Sequence, residues 1–200
     1  MNSPQVSAHH HLRHWHHVYK KRRQRGRAIN SKQMALGQFV SLIGAVIAGV
    51  TLDMNKETLA AFAGAFVVLP GVFDLSGSLG ASLSAKINHR LESSTAQIWK
   101  IFSSSLIFTY GIALASGLIV SCIGALIASQ FFDANFGKVF ALTELSIALC
   151  CLIGLPVIGG LSVVLRKFKV NPDDVVGPIE SSITDILSVV ILSFVARLLS

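Results

Sequence analysis

Five long apolar runs, at about 34–52, 58–85, 101–129, 139–165 and 175–199, dominate this chain. A run of about 18 or more apolar residues reads as a membrane-spanning helix, whereas a barrel strand needs only about ten. Inside a bilayer the backbone must satisfy its own polar groups, which leaves helices as the form for runs of this length. The expected fold class is therefore all-α, a polytopic membrane protein with five transmembrane helices. Composition excludes a soluble domain: 52% of residues are hydrophobic and 14% are charged, and mean hydropathy is +0.63. The expected organisation is a His-rich, basic cytoplasmic tail at 1–33 and a single membrane domain at 34–200.

The charge distribution orients the chain. Arg13, Lys20, Lys21, Arg22, Arg23, Arg25, Arg27 and Lys32 place eight of the 17 basic residues ahead of the first run. With five crossings and the N-terminus inside, Lys86, Arg90, Lys100, Arg166, Lys167 and Lys169 join them. Only Lys56, Lys138 and Arg197 then lie outside. Because cytoplasmic segments carry the excess of Lys and Arg, the expected arrangement is N-terminus in and C-terminus out, in the cell membrane. A basic block beside a span attracts anionic lipid headgroups, so membrane lipid rather than nucleic acid is its expected partner.

Six of the seven histidines fall between His9 and His17. Such a cluster can bind transition metals weakly, but it reads more simply as a tail that gains positive charge as pH falls. Cys122, Cys150 and Cys151 sit inside apolar runs at no spacing that suggests disulfides or zinc, and are expected to be small packing residues. With no cleavable leader in view, the chain is expected to insert by its own helices. No nucleophile–base constellation is present, so an enzyme is not expected.

Two runs carry acids. The second, TLAAFAGAFVVLPGVFDLSGSLGASLSA, contains Pro70, which is expected to kink or break the helix. Asp74 follows one turn later, then Ser76, Gly77, Ser78, Gly80, Ser82 and Ser84. A broken, glycine-rich helix frees carbonyls beside a cavity, making Asp74 a cation-site candidate. The alternative is tight packing alone. The last run holds Asp185 well inside its length, where an acid costs roughly 2.5–3.5 kcal/mol on insertion scales. Gly177, Ser181, Asp185 and Ser188 follow on one helix face. That polar stripe reads either as a pore lining or as a hydrogen-bonded seam between helices. Glu144, near one end of the fourth run, reads equally as a functional carboxylate or as a residue snorkelling to water. In the third run Ala113, Gly117, Ser121 and Gly124 give the small-residue spacing of close helix packing.

Two segments carry a family resemblance. PGVFDLSGSLGASLS, at 70–84, resembles the second-helix signature of the MgtE family of magnesium channels and transporters, a proline followed by a glycine-spaced segment. NPDDVVGPIESSITDILSVVILSF, at 171–194, resembles that family's last helix: Asn171-Pro172, Gly177-Pro178, Ser181-Ser182, then Asp185 seven residues after the proline. The wording VTLDMNKETLAAFAGAFVVLPG is closer to the eukaryotic solute-carrier relatives of that family. The resemblance covers about 34–200 and implies a homodimer whose pore is lined by the second and fifth helices of both subunits. It implies that Asp185 is the principal magnesium-binding residue. Asp74, Ser181 and Ser188 are expected as further ligands. Gly177, Pro178, Ser182, Pro70, Gly77, Ser78 and Gly80 are expected to line the pore. Ser76 and Ser78 stand where the family has Gly and Asn, and Asp74 has no acidic counterpart in the pattern. Only about 33 residues precede the first run, so gating by the family's cytosolic sensor domains is not carried over. The expected function is uptake of Mg²⁺ as the transported ion. The competing expectation is a non-conducting membrane subunit that assembles with a paralogue or regulator.

Overall fold

The computed structural model describes residues 31–93, 98–167 and 172–200. The His-rich tail and Asn171 lie outside the described residues. Five helices follow in order: α1 (Ser31–Ala61), α2 (Ala65–Ser93), α3 (Ile98–Phe132), α4 (Phe136–Lys167) and α5 (Pro172–Leu199). There is no strand among the described residues. Each helix contains a stretch of at least 24 residues long and apolar enough to cross a membrane.

The polar stretch Asp53–Glu57, which interrupts the apolar runs and so reads as a loop, is not one. The helix runs through it to Ala61, because its polar side chains find partners along the helix itself. Thr51 Oγ1 donates to the Ile47 carbonyl at 2.8 Å, and Asn55 Nδ2 donates to the Thr51 carbonyl at 2.8 Å. Lys56 pairs with Asp53 at 2.8 Å. The turn falls instead at 62–64, where Gly64 adopts φ +87°, a conformation open to glycine at no steric cost. A Cβ on Gly64 would also stand 2.8 Å from the Ala128 methyl. Pro70, the sixth residue of α2, does not break the helix, which continues unbroken through the glycine-rich stretch. Asn135 starts α4 as an N-cap, its Oδ1 accepting the Lys138 N–H at 3.1 Å.

Helices α2, α3 and α4 pack on one another, and α5 lies against α4 and α2. The small-residue spacing in α3 becomes a long buried stripe: Ser105, Thr109, Ala113, Gly117, Ser121, Ala125 and Ala128. Such residues let helix backbones approach closely, which is how membrane helices gain packing energy without a hydrophobic drive. Helix α1 rests almost entirely on α5 and barely touches α2, although only three residues separate α1 from α2. At one end of this seam Gly44 meets the Ser182 side chain so closely that a Cβ there would collide with it. Ser182 Oγ donates to the Ser41 carbonyl at 3.1 Å. At the other end the Arg197 guanidinium donates to Thr58 Oγ1 at 3.2 and 3.3 Å. Both seams join like ends, so α1 and α5 run parallel, as an odd number of crossings requires. The outward side of α1 (Leu36, Phe39, Leu42, Val46 and Val50) is exposed and apolar, as a lipid-facing surface is.

Candidate cation site

Helices α2 and α5 are antiparallel, and their facing sides bound a cleft of about 570 Å³. On α2 the wall is Pro70, Phe73, Asp74, Gly77, Ser78 and Ala81; on α5 it is Gly177, Glu180, Ser181, Thr184 and Asp185. Both sets follow three- and four-residue steps, the spacing of a single helix face. Small residues let the two helices meet closely behind the cleft. A Cβ on Gly77 would sit 3.6 Å from Thr184 Oγ1, and Gly80 lies directly against the Glu180 carboxyl. These two contacts set the register and order three acids along the cleft: Asp74, then Asp185, then Glu180.

The carboxylates are available. Asp74 is exposed and Asp185 half-buried, and the ion pair seen on α1, Lys56–Asp53, involves neither of them. The hydroxyls are poised as acceptors. Ser78 Oγ donates to the Leu75 carbonyl at 3.1 Å and Ser181 Oγ to the Pro178 carbonyl at 3.0 Å. With each proton directed into its own helix, the oxygen lone pairs remain free. The cleft therefore presents carboxylate and hydroxyl oxygens, the donor set that hard divalent cations prefer. Among the described residues no three His, Cys, Asp or Glu side chains converge on one point. A cation here would retain much of its water.

The chain belongs to the MgtE family. The family model described as a divalent cation transporter matches residues 69–195, a span that begins one residue before Pro70 and takes in both walls of the cleft. This is a multi-pass membrane protein of a family that transports divalent cations rather than catalysing a reaction.

Of the residues expected from sequence, the fold brings Asp74, Asp185, Ser181, Gly177, Pro70, Gly77 and Ser78 to the cleft. It turns four others away. Ser188 lies on the right angular side of α5, but three residues beyond Asp185 that side is covered by α4. There Ser188 is buried, with the Cys150 thiol donating to it at 3.7 Å. Ser182 faces α1 rather than the cleft. Pro178 serves through its carbonyl, which accepts from Ser181 and Ser182. Gly80 is buried behind the lining, against Glu180. Glu144 neither snorkels nor reaches the cleft: it accepts a hydrogen bond from Ser121 Oγ at 3.1 Å, tying α4 to α3. Sequence reasoning missed Glu180, which is 1% exposed and lines the cleft. The available signal was its position four residues before Thr184 and five before Asp185, on the inward side of the same helix.

Proposed function

We propose that this protein carries Mg²⁺ inward across the cell membrane through a pore made by two copies of the chain, each contributing its α2–α5 cleft. The observation that carries the reading is the cleft itself, with Asp74 and Asp185 on facing helices and lone-pair hydroxyls between them. Its size suits a hydrated ion. Six waters at ~30 Å³ each occupy roughly 180 Å³, so Mg²⁺ fits with its inner water shell in place. Mg²⁺ gives up that shell reluctantly, and a site of few carboxylates that binds through water lets the ion leave again. One chain encloses an ion on one side only; a second copy facing it would close the path and double the Asp185 charge to match a divalent ion. A negative-inside potential drives two charges inward with ~4.6 kcal/mol per 100 mV. The tail at 1–33 is expected to face the cytoplasm and the membrane domain at 34–200 to carry the ion.

The test is uptake of Mg²⁺ by liposomes containing the purified protein alone, read with an enclosed Mg²⁺ dye. Cysteines introduced singly along α5 should cross-link between copies at Gly177, Ser181 and Asp185. Protein that is folded but passes no Mg²⁺ at any potential would favour a non-conducting subunit instead. Absence of inter-copy cross-links in a conducting sample would remove the dimeric pore.

A further inference from the structure

Glu144 and Glu180 both pack against neighbouring helices, and the fold treats them differently. Glu144 receives a hydrogen bond from Ser121. Glu180 is 1% exposed, and neither Oε1 nor Oε2 has a partner. The surrounding groups explain why. From α2 the bare backbone of Gly80 lies against it, and from α4 the Ile158 side chain closes on the same spot. On its own helix, Thr184 donates to the backbone carbonyls of Glu180 and Ser181, each at 3.0 Å, and Ser181 donates to the Pro178 carbonyl. Ser84 and Ser162, a turn farther along α2 and α4, bond to each other at 2.8 Å. A buried acid left without a partner is costly in a low-dielectric interior, and native folds rarely keep one unless something binds there.

We propose that the Glu180 carboxylate, set at the floor of the α2–α5 cleft against Gly80, forms a second cation-binding position that takes a divalent ion by direct coordination. This rests on the cleft being the ion path. Asp185 lies five positions beyond Glu180 along α5, a rise of roughly 7.5 Å. No three acids converge on one point among the described residues, so the two positions act in series rather than as one cage. Asp74 and Asp185 face the open part of the cleft and hold an ion through its water. Glu180, walled by Gly80 and Ile158, has no room for a full water shell and binds an ion that has shed part of it. Direct binding favours divalent ions that dehydrate more readily than Mg²⁺, and Mn²⁺ is the suitable probe.

The experiment measures Mn²⁺ binding to the purified full chain in lipid nanodiscs, from the spin-resonance signal of free Mn²⁺. Glu180→Gln should weaken the tighter class of Mn²⁺ binding by about tenfold or more, since even outer partners of a bound metal carry 10–100-fold effects. Gly80→Ala keeps every carboxylate but places a methyl against Glu180, and should produce a loss of the same kind. Asp185→Asn should spare this class while weakening the other. Wild-type Mn²⁺ binding in both Glu180→Gln and Gly80→Ala overturns the proposal. If Asp185→Asn alone weakens binding, the cleft remains the ion path and only the Glu180 position falls. If Asp74→Asn and Asp185→Asn also bind as wild type, the cleft reading falls with it. Should Glu180→Gln fail to give folded protein, Gly80→Ala decides.

Discussion

Asp185→Asn preserves the shape of the side chain and removes one charge per chain from the cleft wall. The loss can be bounded from the geometry. A Mg²⁺ that keeps its inner waters approaches a carboxylate to ~4.5 Å, one metal–water bond plus one hydrogen bond. Charges of +2 and −1 at that distance attract by about 1.8 kcal/mol in bulk water and about 7 kcal/mol at an effective dielectric of 20. Asp185 is half-buried, so its environment lies between these limits. The water limit alone corresponds to about 20-fold in occupancy, at 1.36 kcal/mol per tenfold. Transport by the variant should therefore need at least about 20-fold more Mg²⁺ for half-maximal rate, or fall below detection. The assay is dye-reported Mg²⁺ entry into proteoliposomes under a fixed negative-inside potential, with insertion checked by detergent chromatography. A half-saturating concentration and maximal rate within about threefold of wild type would refute the reasoning, because the bulk-water term is the least the charge can contribute.

Asp74→Asn should weaken transport less than Asp185→Asn, since its exposed carboxylate is screened by water; an equal or larger loss would move the ion axis onto α2. Glu144→Gln should leave transport near wild type in the same flux assay, because the amide still accepts the Ser121 hydrogen bond. Gly44→Val drives a branched side chain into Ser182 and should destabilise the α1–α5 seam by about 1–3 kcal/mol, read as a lower denaturation midpoint in mixed detergent. A reporter fused after Ser200 should be external and one placed before Met1 internal; finding both on one side would rule out five crossings.

Much of the architecture was legible because the bilayer allows so few solutions. The five runs become five helices, and Asp185 announces itself because an acid inside an apolar run is expensive. Hydropathy misled at Asp53–Glu57, where polarity suggested a loop. Helical hydrogen bonding does not depend on hydropathy, and Thr51, Asn55 and Lys56 satisfy themselves along the helix. Pro70 was expected to kink or break α2, yet the helix continues through it without a break, losing the one hydrogen bond that its missing N–H would have made. Glu180 was illegible for a different reason. Beside Pro178 and near the start of an apolar run, it reads as a boundary residue, and only the approach of Gly80 and Ile158 encloses it. Nor does any periodicity say that α1 belongs to α5, since the Gly44–Ser182 match depends on two segments far apart in the chain.

That distant match has a consequence for biogenesis. The bond between Ser182 and Ser41 spans 141 residues, nearly the full length of synthesis of the membrane domain. At 5–20 residues per second, α1 waits roughly 7–28 s after entering the bilayer before its docking surface exists. During that interval Gly37, Gly44 and Ala48 face lipid or the insertion machinery, although they are buried in the finished protein. Helices α2, α3 and α4 can pack as they emerge. The α1–α5 seam can close only once α5 has been made, so a ribosome that stops before α5 leaves the first helix without a partner and exposed to quality-control proteases.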